Sequence, residues 1–171
     1  MSLFRFVIVA LVLLLPSPAP AQEPDHSSLV PDVVKRVVLD PTTYAPAIVG
    51  WGATRLDWQS SQVFFQHGFL EANPRFTASG LGGDTAMSYA AGNRQIFADA
   101  MVNLQVSVIH NVSGQVIERL LRQRYPNHRT LVRAIGWIER SSMASYWSYR
   151  QAAGHFRQWQ DNERSARQLG L

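Results

Sequence analysis

Asp57, Ser60, Ser61, His67 and Glu71 form the densest set of groups in this chain that could move protons. On a helix Asp57, Ser60 and Ser61 share a face, because positions three and four apart are neighbours. His67 and Glu71 follow at the edge of a loop. Carboxylates and imidazoles in such a place can be tuned as general bases, so Asp57, His67 and Glu71 are the candidate set for a hydrolase-like reaction. The same residues also suit a purely architectural role. Asp57 can pair with Arg55, Arg94 or a more distant arginine, while Glu71 and Asn73 close a polar turn whose amides need acceptors.

Stronger catalytic spacings are missing. Ser60, Ser61, Ser141, Ser142 and Ser145 lack a Gly-x-Ser-x-Gly context. The Gly80-Leu81-Gly82-Gly83-Asp84 turn has no following lysine to make it a phosphate cradle. His67, His110, His128 and His155 show no HExxH or ExxH pattern that would put metal ligands on one helical face. His110 and His155 read as packed histidines. No cofactor or metal is expected, and a non-catalytic protein is the leading expectation.

The segment from Asp57 to Pro74 resembles an uncharacterised family of small bacterial helical membrane proteins. The family hallmark is an Asp followed by Ser or Thr, then Gly-x-x-Glu-x-Asn-Pro. The matching positions here are Asp57, Ser60 or Ser61, Gly68, Glu71, Asn73 and Pro74, with a faint echo at Asp161-Asn162-Glu163-Arg164. The resemblance implies a compact bundle of apolar spans and no particular activity. Arg55, Asp57, Asp99, Arg133, Glu139, Arg140 and Arg150 interrupt the helices, and each is expensive at a bilayer centre. A soluble or surface-bound relative of a membrane architecture is therefore expected.

The elements that must position these residues are all helical. Asp40-Pro41 predicts a helix start, with a bend or break at Pro46 and Gly50-Trp51-Gly52 before a better segment from about Ala53 to His67. Gly68 is placed as its C-cap. A turn-rich loop over about 69–84 follows, and Asp84 or Thr85 could cap the next helix. In that helix Gly92-Asn93 predicts an early interruption. Beyond it, Ile96, Phe97, Ala100, Met101, Leu104, Val108, Val112, Val116, Leu120 and Leu121 recur at three and four, which predicts a central helix with an apolar core stripe. Tyr125-Pro126-Asn127 ends it. A last helix runs from about His128 to Gln168, with bends possible at Gly136 or Gly154 and a core side formed by Leu131, Ile135, Ile138, Tyr146, Trp147 and Trp159. No twofold alternation marks a strand. The expected class is all-α, an irregular three- or four-helix bundle.

Composition sets the address. Arg5, the apolar run Phe6 to Leu15, Pro16 and Ala19-Pro20-Ala21 read as a signal peptide over residues 1–21, with the mature chain starting at Gln22. The apolar run is short for a membrane span, which needs about 20 residues. An uncleaved N-terminal anchor, making an integral membrane protein, is the alternative. Residues 22–39 read as a mobile arm and 40–171 as one helical domain. With no cysteine, disulfides, thiol chemistry and a lipidated-cysteine tether are excluded. The expected location is periplasmic or secreted, with membrane association allowed.

Charge points to a partner. Residues 22–117 carry five basic and eight acidic groups, net −3, whereas residues 118–171 carry ten arginines against four acids, net +6. Arg150, Arg157 and Arg164 lie nearly on one stripe among aromatic residues. Such a surface suits anionic lipid or an envelope polymer, and export argues against nucleic acid. The chain thus reads as an exported structural or interaction protein of the bacterial cell envelope.

Overall fold

The computed structural model describes residues 29–171. Four helices carry the fold: α1 (Leu29–Leu39), α2 (Ala45–Gln66), α3 (Tyr89–Arg124) and α4 (Arg129–Leu169). Short 3-10 turns lie at Pro41–Thr43, Pro74–Phe76 and Pro126–His128. The all-α expectation holds among the described residues, where β pairing is limited to isolated antiparallel bridges joining Glu71 to Asp84 and Thr77 to Ala86. The loop expected over 69–84 is therefore pinned at both ends. The expected signal segment and residues 22–28 fall outside the described residues.

Helix boundaries correct several expectations. Residues 29–39, assigned to a mobile arm, form α1, which buries Val33 and Val37 one turn apart. Asp40 does cap a helical turn at Pro41–Thr43, accepting from the Thr42 amide at 3.0 Å, but α2 starts afresh at Ala45. It runs unbroken through Pro46 and Gly50-Trp51-Gly52. Pro46 lies in the first turn, where an amide would have no intrahelical partner, and Gly50 lets the helix rest on Gln151, whose Cβ would stand 3.4 Å from an added methyl. Gly68 follows the C-cap with φ +83°, as a helix-ending glycine should. Ser88, rather than Asp84 or Thr85, caps α3 through the Ala91 amide. Gly92 does not interrupt that helix; a Cβ there would stand 2.3 Å from the Trp58 ring. α4 likewise continues through Gly136 and Gly154.

α4 lies parallel to α2, and α3 runs antiparallel to both, as the order of their contacts along each chain requires. The apolar core is small. Trp58, Phe76 and Ile96 form it, with the Trp58 and Phe76 rings 5.2 Å apart and Phe65, Ala86 and Met87 against them. Fully burying side chains of this size is worth roughly 1.5–3 kcal/mol each. The rest of the interior joins smaller apolar residues, Val33, Val37, Ala47, Ala53, Ala100, Ala144 and Ala152, to a ladder of polar rungs.

At one end Arg140 donates from Nε to Asp40 at 3.0 Å and from Nη1 to Glu118 at 2.9 Å. Next, Asn111 donates to the Thr42 and Thr43 hydroxyls at 3.0 and 2.7 Å. Gln151 then donates to Asn103 at 2.6 Å beside Gly50. The last rung is built on Asp57. Each rung joins helices distant in sequence, and each satisfies groups that would be costly to bury alone.

The expected core stripe of α3 holds in part, with Ile96 and Ala100 buried and Leu104, Val108, Val112, Val116 and Leu121 half-buried, but the ladder gives the helix a polar interior beyond it. Its buried positions include Ser107, Asn111, Gln115 and Glu118, with Asn111 only 2% exposed, whereas neighbouring Ile109 is 67% exposed. Phe97, Met101 and Leu120 face outward too. On α4, Arg140, Ala144, Ala152 and Asn162 are buried, while Leu131, Ile135, Trp137, Ile138 and Tyr146 are exposed. The physical reason is that carboxylates and amides on these helices find charged or amide partners only by facing one another, so several large apolar residues take the other side while Ile96, Ala100, Ala144 and Ala152 stay inside. Among the described residues no helix is long and apolar enough to cross a membrane.

Candidate functional site

Small residues bring α2 and α4 together where the last rung sits. Gly50 and Ala53 are buried on the α4 side of α2, and the stripe continues one and two turns later through Asp57 and Ser61. On α4, Gln151, His155, Gln158, Asn162 and Ser165 recur at three and four and face it.

The Asp57 carboxylate accepts from His155 Nδ1 at 2.7 Å. This places the ring hydrogen on Nδ1 and leaves Nε2 as the second functional atom. Asn162 donates to the Ser60 and Ser61 hydroxyls at 2.9 Å each and approaches Asp57 Oδ1 at 3.5 Å. Both serine hydroxyls donate to the Asp57 carbonyl at 2.9 Å. Their hydrogens are thus committed to the helix backbone. Neither serine is aligned on His155 as a triad nucleophile would be.

The second half of the motif builds the turn after α2. Glu71 accepts from the Asn73 amide at 2.7 Å, and Asn73 accepts from the Arg75 amide at 3.1 Å, capping the Pro74–Phe76 turn. That turn delivers Phe76 to Trp58. Glu71 also pairs its backbone with Asp84, whose carboxyl lies below the ordinary value of 3.8 because the Ser79 hydroxyl and the Thr85 amide bond its charged form.

Asp57, Ser61, Glu71 and Asn73 line one cleft of about 730 Å³ together with Arg150, His155 and Asn162. A second cleft of about 370 Å³ shares Thr54, Gln151 and His155 with it. Of the candidate catalytic set, Asp57 and Glu71 reach the larger cleft but His67 does not; its Nδ1 bonds the Val63 carbonyl at 2.8 Å beyond the helix end. His155 takes the place expected of His67. It is not simply packed against its aromatic neighbours, and the missed signal was the run of polar residues at helical spacing that ends in the Asp161-Asn162-Glu163-Arg164 echo.

The arginine stripe divides by function. Arg150 lines the cleft, Arg157 donates to the Ala153 carbonyl, and Arg164 pairs with Asp161. Away from the cleft, His110 Nε2 stands 3.1 Å from Glu139 without hydrogen-bond direction. Among the described residues no three His, Asp or Glu side chains converge as a metal centre would require. In comparisons with known proteins, no family model, no curated protein and no solved structure matches the chain.

Proposed function

We propose that this protein is an exported structural or interaction component of the bacterial cell envelope, seated on anionic lipid through the apolar outside of its bundle. The observation that carries this reading is that α3 and α4 bury polar groups while leaving large apolar residues exposed. Glu118 and Arg140 are buried while Ile109, Ile117, Leu120, Trp137 and Ile138 are exposed, and apolar exteriors of that extent mark an interaction surface. Charge supports lipid as the occupant. Exposed Arg124, Arg129 and Arg133 at the α3–α4 turn flank the apolar residues, and phosphate headgroups suit guanidinium groups. The absence of a spanning helix among the described residues favours a seat in the interface over a span.

Co-flotation with vesicles of phosphatidylglycerol, at low and high salt, tests the reading. Binding that weakens but persists at high salt is expected, because only the electrostatic part is screened. No binding to vesicles or to envelope fractions at either salt would remove it. N-terminal sequencing of exported material separates this reading from an integral protein with an uncleaved anchor, since a start at Gln22 leaves no anchor.

A second, hydrolase-like reading draws on the Asp57–His155 contact alone. A carboxylate that orients an imidazole is a common way to hold a general base. With both serine hydroxyls committed, water would be the nucleophile. A His155→Asn variant that loses turnover on an ester, amide or phosphate substrate supports this reading, and absence of turnover in the parent protein removes it.

A further inference from the structure

The larger cleft has an uneven hydrogen-bond inventory. Thr54, Ser61, Gln151, Gln158 and Asn162 direct their hydrogen bonds into the protein. Each carboxylate has an oxygen engaged, Asp57 Oδ2 with His155 and Glu71 Oε1 with the Asn73 amide. The Arg150 guanidinium, His155 Nε2 and the Ser165 hydroxyl have no partner among the described residues, and Glu71 Oε2 and Asn73 Nδ2 are open as well. Arg150 and Ser165 can donate, His155 Nε2 accepts while the ring hydrogen is on Nδ1 and donates when the ring carries both, and Arg150 is permanently cationic.

The same cleft is lined by apolar groups of the opposite character. Phe69, Leu70 and Leu169 are exposed there, and Phe64 stands edge-on to Phe69 with centroids 5.6 Å apart. Large side chains left wet around a cavity are covered when a ligand brings its own apolar surface. Gly154, between Arg150 and His155, adds no side chain to the cleft, and a Cβ built there meets nothing within 4 Å. The volume lies within the roughly 300–1,000 Å³ of small-molecule sites.

We propose that this cleft binds a single-chain anionic amphiphile, its carboxylate or phosphate head on Arg150 and His155 and its chain along Phe64, Phe69, Leu70 and Leu169. The unpartnered Arg150 guanidinium selects an anion over a cation at its end of the cleft, and the exposed apolar wall selects a chain over a free ion. The site is separate from the lipid-facing outside of α3 and α4 and goes beyond the bilayer seat.

Calorimetric titration of the full chain with dodecanoate and with dodecyl phosphate, below their micelle concentrations, tests the proposal and distinguishes the two head groups. Acetate and inorganic phosphate supply the heads without the chain. Saturable binding of at least one amphiphile is expected, with neither free anion binding detectably. Arg150→Gln should weaken it about tenfold or more, the scale of a charged hydrogen bond. Gly154→Trp should abolish it by filling the cleft, while Gly154→Ala retains it. No saturable binding of either amphiphile overturns the proposal, as does binding unchanged in Arg150→Gln, a substitution at an exposed residue that keeps the test valid even if Gly154→Trp fails to fold. Free anions binding as tightly as the amphiphiles overturns the chain seat. Vesicle flotation of Arg150→Gln reads the bilayer seat separately and is expected to be close to that of the parent.

Discussion

Asp57 holds His155 at 2.7 Å across 98 residues of sequence, and that one contact ties the motif on α2 to the polar face of α4. Removing the carboxylate strands His155 and loosens Asn162. Asp57→Ala is expected to destabilise the protein by about 1–3 kcal/mol, the scale for leaving partly buried polar groups unpaired. A double-mutant cycle with His155→Ala, followed by urea unfolding, should return a coupling of about 0.5–3 kcal/mol. Additive effects would show that the pair is not an energetic contact.

Gly92 and Gly154 are both helical glycines, yet alanine should act on them in opposite directions. At Gly92 a methyl group would stand 2.3 Å from the Trp58 ring, so overpacking should destabilise by about 1–3 kcal/mol. At Gly154 a methyl group meets nothing, and the gain in helix propensity should stabilise by about 1 kcal/mol. Urea midpoints of the two variants check both signs in one experiment.

Arg140 is buried between Asp40 and Glu118, and Arg122 stands 3.5 Å from the other Glu118 oxygen. Arg140→Met removes the cation and leaves two buried carboxylates facing each other. A loss of about 3–5 kcal/mol is expected. Gly136→Ala should also destabilise, since its methyl group would stand 2.7 Å from Glu118 Oε2. Arg157→Ala, at an exposed site, should change thermal stability by no more than about 0.5 kcal/mol.

Acid should loosen the loop before it unfolds the bundle. Bonds from Ser79 and Thr85 depress the Asp84 carboxyl in the folded protein, so their stabilisation is fully present above the ordinary value of 3.8 and is lost as pH falls through the lower folded value. Hydrogen exchange at the Glu71 and Asp84 amides should quicken in that acid range, and Asp84→Asn should show the faster exchange already at neutral pH. Exchange independent of pH in the parent, once corrected for intrinsic rates, contradicts this.

The outward apolar residues of α3 and α4 should matter for binding more than for folding. Ile109→Ser with Trp137→Ser is expected to shift stability by roughly 0.5 kcal/mol or less per site, because both side chains are already exposed. Vesicle flotation of the pair should fall clearly below that of the parent. Unchanged flotation would move the lipid seat elsewhere.

Helix content, the stop at Tyr125-Pro126 and the cap at Gly68 were legible because they depend on local chemistry: a missing amide hydrogen, a left-handed backbone, apolar spacing. Less was legible where local rules compete with distant partners. Pro46, Gly50 and Gly92 read as interruptions, but each is a helical position that spares a hydrogen bond or admits a neighbouring side chain. Asp57, Glu71 and Asn73 were singled out by type and spacing, and the structure places them on one cleft. His67 was singled out with them and lies elsewhere, because spacing past a helix end does not determine direction.

The sequence by itself determined an all-α chain, its turns and the residues of its motif, since those follow from neighbours a few positions apart. Only the tertiary structure decided which side of each long helix is the inside. Periodicity marks an apolar stripe without saying what it faces, and here Asp40, Glu118 and Arg140, like Asp57, His155 and Asn162, can be satisfied only by one another across the bundle. Their mutual pairing fills much of the interior with polar groups and leaves Ile109, Ile117, Trp137 and Ile138 outside, and with them the question of what this protein binds.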